Sequence, residues 1–289
     1  MFNDGTLAAM DFALLSHASN YDLSDPRERL RSHVDLTLLF YSLGDVLKPD
    51  AFVEAGAFNA QASRDMKARL PKCRTVAFEA NPYNYELWTQ RIDYAKEGIE
   101  YVHKALSSEP GTVTFNVQKS RDGHELKKTT GRSSLLQRTD PAFEYDEIRV
   151  AATSLDDFFD PLPERPMAWV DVEGASKPVL SGGRKLFGAT AAVFIEVEEK
   201  PFWEDQWLAR DVVRFMGECG LVPVARDFES RSRTQYNVVF LRDELRQDPA
   251  VRSAFATYHS ACAFPRVERI SSVLPASRGG MALKGASPQ

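Results

Sequence analysis

Carboxylates recur at the ends of short apolar runs in this chain. Glu54-Ala55-Gly56-Ala57-Phe58-Asn59-Ala60 closes the run at 51–55 (AFVEA) and leads into a helical pattern. A glycine at such a turn lets backbone N–H groups come close to a ligand. Gly56 stands alone, with Ala60 where a further glycine would be, so the G-x-G-x-x-G pattern of pyrophosphate sites is absent. Glu54 would repel a pyrophosphate and suits an α-ammonium group. Glu79 ends the next run, RTVAFEA, 23 residues beyond Gly56. An acid at that distance is placed to accept hydrogen bonds from ribose hydroxyls, a group shared by nucleotides and S-adenosylmethionine. Asp171-Val172-Glu173-Gly174 ends the run MAWVDV. Acids at i and i+2 of a strand end share a face, where they can orient a hydroxyl, accept its proton or hold a divalent cation. Each of these residues also has an ordinary structural role open to it: a strand–helix turn, an acid at a helix N-terminus beside Asn81-Pro82, a cap. Glu198 and Glu199, at the end of VFIEVEE, read as solvated.

These acids need a scaffold that gathers them. Apolar positions from Leu30 to Leu47 recur at three- and four-residue spacing, which predicts a helix over 27–47, with Pro26 as a breaker before it. Short apolar runs at 51–55, 74–80, 99–105, 112–117, 167–172 and 191–197 predict strands, and helical patterns at 60–70, after Asn81-Pro82, at 178–187 and at 203–219 alternate with them. That alternation predicts βαβ units and a mostly parallel α/β sheet with helices on both faces. About ten residues separate strands at 221–225 and 236–241, too few for a crossover helix, so the last pair is antiparallel. Residues 118–147 are polar and weakly patterned and read as a long functional loop, in which Ser133-Ser134 are candidates for a lid. The tail 271–289 reads as flexible.

The chain has 289 residues, 43% of them hydrophobic and 27% charged, enough for a sizeable core. A net charge of −5 argues against a general nucleic-acid binder or a polybasic membrane-surface protein. No apolar run reaches the length of a membrane span, and the acidic N-terminus is unlike a secretory signal. Cys73, Cys219 and Cys262 are odd in number and form no C-x-x-C pair, against a disulfide framework or a cysteine-built metal site. The reading is a cytoplasmic globular protein with a small-molecule or glycan partner, and neither nucleic acid nor membrane.

The ordered set FVEAGAFNAQAS, AFEANPYNYELW, VHKALSS, SSLL, ATSLDDFF, WVDVEGA and VFIEVE resembles the FkbM-type S-adenosylmethionine-dependent methyltransferases, over about Phe52 to Leu241. The resemblance implies a class I methyltransferase fold, a Rossmann-like sheet with an antiparallel last strand. It also implies S-adenosyl-L-methionine as cofactor. By it, Glu54, Gly56, Ala57 and Phe58 lie at the methionine end of the cofactor, and Glu79, Ala80 and Asn81 at the ribose. Ala105 flanks the adenine, and Asp171, Glu173 and Gly174 stand beside the transferred methyl. Departures from the family pattern are Glu54, Phe58, Ala60, Trp169 and Ser176. The division expected is an N-terminal helical extension at 1–48, a methyltransferase domain at 49–245, and a C-terminal helical segment and flexible tail at 246–289. The activity expected is O-methylation of a hydroxyl on a sugar or secondary metabolite, with Asp171 as base or orienter, then Glu173, then His103. No metal is assigned. Trp203 and Trp207, one helical turn apart, are candidates for a sugar-stacking pair or for core. The alternatives are a non-catalytic binding module on the same fold and a nucleotide-dependent oxidoreductase.

Overall fold

The computed structural model describes residues 14–230 and 234–263. The tail at 271–289 lies outside them. The first long helix, α1 (Pro26–Leu47), opens with Asp25 as N-cap, its carboxylate accepting from the Arg27 N–H, and with Pro26 at the first turn. Pro26 therefore starts the helix and does not break it, because its missing N–H is one that no intrahelical carbonyl would have accepted. Then follow β1 (Ala51–Ala55), α2 (Gln61–Arg69), β2 (Arg74–Glu79), α3 (Pro82–Thr89), β3 (Ile99–His103) and β4 (Ala105–Leu106). Next come β5 (Gly111–Arg121), β6 (His124–Glu125), β7 (Phe143–Thr153), α4 (Leu155–Phe158) and β8 (Met167–Val170). The chain continues through α5 (Ser176–Ser181), α6 (Arg184–Ala189), β9 (Ala192–Glu198), α7 (Ala209–Glu218), β10 (Leu221–Arg226), β11 (Gln235–Arg242) and α8 (Pro249–Ala263).

The central sheet has seven strands in the order β10-β11-β9-β8-β1-β2-β3. β8, β9, β1, β2 and β3 run parallel, and β11 pairs antiparallel with both β9 and β10. The order reverses between β1 and β8, so the carboxyl ends of β1, β2 and β8 frame a crevice. This is the class I methyltransferase topology. Val53, Val76, Phe78, Val170 and Ile195 face one side, where Val179, Leu186, Phe187, Val212 and Met216 of α5, α6 and α7 cover them. Phe52, Phe194, Val239 and Leu241 face the other, under Leu36, Leu39, Phe40 and Leu43 of α1, Met66 of α2 and Val251 and Tyr258 of α8. With both faces covered, the central strands can be continuous apolar runs, each fully buried Leu or Phe contributing about 2 kcal/mol.

Five expectations about elements change. The strand expected at 99–105 stops at His103, and Ala105–Leu106 pairs instead with β7. The strand expected at 112–117 lies outside the central sheet. It is part of β5, in a second sheet of order β4-β7-β5-β6. The polar segment 118–147 is not one loop, since β5 and β7 pair antiparallel from Gly111↔Ala152 out to Arg121↔Phe143. Only 126–142 is irregular between β6 and β7. The helix expected at 178–187 is split at Gly182-Gly183, where a Cβ on Gly182 would stand 2.1 Å from the Ser107 carbonyl oxygen. The helix expected at 203–219 begins only at Ala209, so Trp203 and Trp207 do not share a helix face.

Candidate active site

At the tip of β1 the chain turns through residues with left-handed backbone. Gly56 has φ +78°, and a Cβ there would stand 1.9 Å from the Asp171 carbonyl oxygen. Only glycine fits, and the close approach locks the first turn to the end of β8. The N–H groups of Gly56 and Ala57 both donate to the Phe78 carbonyl (3.1 and 2.8 Å), which ties the same turn to β2. Phe58 (φ +51°) and Ala60 (φ +55°) adopt conformations that cost side-chain-bearing residues about 1 kcal/mol or more each. Contacts hold them there. The Phe58 N–H donates to Glu79 Oε2 at 2.7 Å, its carbonyl accepts from the Tyr101 hydroxyl, and the Ala60 N–H donates to the Ala57 carbonyl at 2.6 Å.

Glu79 is the hub. Its Oε1 accepts from the Asn81 N–H at 2.7 Å while Oε2 holds Phe58, so it joins the β1 turn to the start of α3. Asn81 caps α3, accepting from the Tyr83 N–H at 3.0 Å. Burial pushes Glu79 up to about 7, against the N–H groups of Asn81 and Phe58 and the Asn84 amide, which favour its charge.

On the other side of the switch point, β8 ends at Val170 and Asp171 follows, its N–H donating to Ala55 at 2.9 Å. Glu173 has φ +49° and Gly174 φ +81°. Trp203 is packed onto Gly174 so closely that a Cβ would stand 2.3 Å from the indole. The Arg138 guanidinium lies 4.3 Å from the Trp203 ring centroid and 3.7 Å from Glu173 Oε2. The Ser134 hydroxyl donates to the Glu173 carbonyl at 2.7 Å. The turn is thus clamped from both sides.

Between these walls is a cleft of about 620 Å³, partly open to solvent. Of the residues expected from the sequence, Gly56, Phe58, Glu79, Ala80, Asn81, Ala105, Asp171 and Glu173 line it. Glu54 and Ala57 do not. Strand alternation turns Glu54 beneath α2, where Oε2 accepts from the Ser63 N–H at 2.7 Å. Ala60, the N-cap residue of α2, makes no side-chain cap, so Glu54 caps that helix from below. Burial pushes Glu54 up to about 7, with the Asp171 charge adding to it. His103 is exposed at the edge of β3 and stacked on Tyr85, ring centroids 4.8 Å apart. Trp203 is buried at 1% exposure, and Trp207 packs on Phe215, so both belong to the core.

Residues 46–222 match the family profile of the methyltransferase FkbM domain. The chain belongs to that family. The 2-O-methyltransferase NoeI of Sinorhizobium fredii (strain NBRC 101917 / NGR234) is 23% identical over 184 residues, 61% of this chain and 74% of that protein. Magnesium protoporphyrin IX methyltransferase (ChlM) from Synechocystis PCC 6803, solved with S-adenosylmethionine bound, superposes with a TM-score of 0.43 at 8% identity, over 84% of this chain and 99% of that one. The pyocyanin biosynthetic protein PhzM superposes with a TM-score of 0.35 at 12% identity, over 71% of this chain and 54% of that one. This chain therefore spans about half the length of PhzM. It is a methyltransferase.

This FkbM methyltransferase carries site features that the sequence reading missed. Thr130, Gly131, Ser133, Ser134 and Leu135 form a whole wall of the cleft, of which Ser133-Ser134 alone were expected. Asn84 lines the cleft too, and its spacing of three from Asn81 on one helix face was a usable signal. Glu198 is buried at 2% exposure, contrary to the solvated reading. Burial pushes it up to about 8, and the Glu173 and Asp171 charges act in the same direction. It shares a strand face with Phe194 and Glu196, so β9 carries it inward. Among the described residues, the ligand atoms close enough to share a cation belong to His33, Asp227 and Glu229, all outside the cleft lining.

Proposed function

We propose that this methyltransferase binds S-adenosylmethionine in the cleft and methylates a hydroxyl oxygen of a sugar or secondary metabolite. One observation carries the cofactor reading: the Glu79 carboxylate stands at the tip of β2 in the cleft lining, held by the N–H groups of Phe58 and Asn81, with acceptor capacity left beyond them and the Asn84 amide. Ribose hydroxyls are donors that suit it. The residues around it fit the rest of the group. Ala105, Leu106, Phe115 and Leu135 supply apolar surface for a flat base, and Gly56 brings the backbone of the β1 turn into the cleft lining.

When bound, S-adenosylmethionine supplies a methyl group already activated on a sulfonium. What remains for the protein is orientation, water exclusion and removal of one proton. Segment 130–135 closes the cleft from solvent on one side. In this reading Asp171, or Glu173 after it, accepts the hydroxyl proton; both lie in the cleft wall after β8, which supports the role. The Arg138 guanidinium stands 3.7 Å from Glu173 Oε2 at the same wall. The relation to a 2-O-methyltransferase supports oxygen as the accepting atom.

The test is transfer of labelled methyl from S-adenosylmethionine to a panel of saccharides and phenolic metabolites. Asp171→Asn is expected to lower kcat about 10²- to 10⁴-fold with little change in affinity for S-adenosylhomocysteine. Transfer to nitrogen or carbon acceptors alone would overturn the hydroxyl reading.

A further inference from the structure

Segment 128–136 has few apolar anchors of its own, and three asparagines hold it by their side-chain amides. Asn81 Nδ2 donates to the Lys128 carbonyl at 2.8 Å, Asn84 Nδ2 to the Thr130 carbonyl at 2.9 Å, and Asn116 Nδ2 to the Leu135 carbonyl at 3.1 Å. Asn116 and Ser134 also exchange both backbone hydrogen bonds, at 2.8 and 3.2 Å. The Asn116 bond ties the segment to its own sheet. Asn81 and Asn84 are different, because they reach across the cleft from α3, two and five residues beyond Glu79.

Asn84 has two further properties. It is 1% exposed, and its Oδ1 makes no hydrogen bond although it is buried and the residue lines the cleft. The Thr130 carbonyl needs a donor, which fixes the amide with its nitrogen toward the segment and its oxygen away from it. A buried acceptor without a donor is destabilising, and a ligand hydroxyl or amine reaching it would relieve that. The same amide favours the charged form of Glu79. One side chain thus touches the segment, the ribose-facing carboxylate and the cavity.

We propose that Asn84 is a cofactor-contacting and positioning residue: its Oδ1 accepts from the bound cofactor while its Nδ2 latches segment 128–136 down, so that cofactor binding fastens this wall of the cleft. The proposal rests on the reading that the cleft binds S-adenosylmethionine. It gives the otherwise irregular segment a function as a closure that tightens on the occupied site. Lys128 assists from the outer side, its Nζ paired with Asp146 at 2.8 Å.

Hydrogen exchange of the full chain, with and without saturating S-adenosylhomocysteine, tests it, with affinity measured separately by calorimetry. In the wild type the ligand is expected to slow exchange of amides in 128–136 by about fivefold or more. In Asn84→Ala, affinity is expected to fall about tenfold, the loss of one buried hydrogen bond and its partner. At ligand concentrations that still saturate the variant, the segment is expected to gain no protection. Asn84→Asp, equal in size, keeps an acceptor but loses the donor to Thr130, so it too should lose the protection. A merely structural role in α3 would lower the melting temperature and leave the ligand-dependent protection intact, and that result overturns the proposal. Binding by the wild type with no protection of 128–136 overturns it as well. No binding by folded wild type overturns the cofactor reading and the latch together.

Discussion

The ionisation of Glu79 should be visible in cofactor affinity. Its carboxyl is pushed up to about 7 in the ligand-free protein, from an ordinary 4.5, chiefly by burial. Ribose hydroxyls donate to the charged form, so binding selects the ionised carboxylate and releases a proton when Glu79 begins protonated. With a value near 7, about a tenth of the protein carries the ionised group at pH 6 and about nine-tenths at pH 8. Affinity for S-adenosylhomocysteine is therefore expected to rise about tenfold across that interval and then level off. Glu79→Gln removes the titration. It also gives the ribose hydroxyls a neutral amide in place of a carboxylate, a loss of about 2 kcal/mol for bonds to a charged acceptor, so the variant should bind some thirtyfold more weakly and independently of pH. Calorimetry at pH 6, 7 and 8, in buffer pairs of different ionisation enthalpy, reads both the affinity and the proton count. Glu54 is the control, since it is also pushed up to about 7 but lies outside the cleft lining. A wild-type affinity flat from pH 6 to 8, or a slope that survives in Glu79→Gln and disappears in Glu54→Gln, would refute the reasoning.

Stability should run the other way. Glu54 and Glu79 bind protons more tightly folded than unfolded, so their contribution is fully present below about pH 4.5 and is lost as pH rises through 7. The loss has an upper bound of about 3 kcal/mol per group, and chemical denaturation at pH 5 and pH 8 should show Glu54→Gln with the shallower decline. Gly56→Ala puts a Cβ 1.9 Å from the Asp171 carbonyl oxygen and should cost about 3 kcal/mol or more in denaturant unfolding, with loss of S-adenosylhomocysteine binding. Ala60→Gly relieves a φ of +55° and should stabilise the protein by about 1 kcal/mol, raising Tm by roughly 2–4 °C. Cofactor affinity in that variant should not change, because Ala60 lies outside the cleft lining.

The central sheet was legible because its strands are buried on both faces. AFVEA, RTVAFE, MAWV and AVFIEV read as apolar runs whatever their neighbours, and the short spacing before Gln235–Arg242 forced an antiparallel partner. Since parallel strands end on one edge, acids at the ends of β2 and β8 had to meet, and Glu79, Asp171 and Glu173 do share the cleft. The second sheet was hidden for the opposite reason. FEYDEIRVAAT carries charges through most of its length and has no fully buried residue before Val150, so its strand character comes chiefly from pairing with β5. The wall at 130–135 adjoins that sheet, and only Ser133-Ser134 of it were legible. Glu54 was misplaced in emphasis by one step of the pleat, which turns it under α2 to cap a helix that starts at an alanine. Glu198 looked like one of a solvated pair because Glu199 beside it is exposed, yet alternation sends the two to opposite sides.

A crystal structure of the protein with S-adenosylhomocysteine tests the account most directly. The expected result is the nucleoside in the cleft, both ribose hydroxyls within hydrogen-bonding distance of Glu79, the adenine against Ala105 and Leu135, and the sulfur toward Asp171 and Glu173. A well-folded complex with the ligand elsewhere, or in the cleft with Glu79 touching neither hydroxyl, would contradict it.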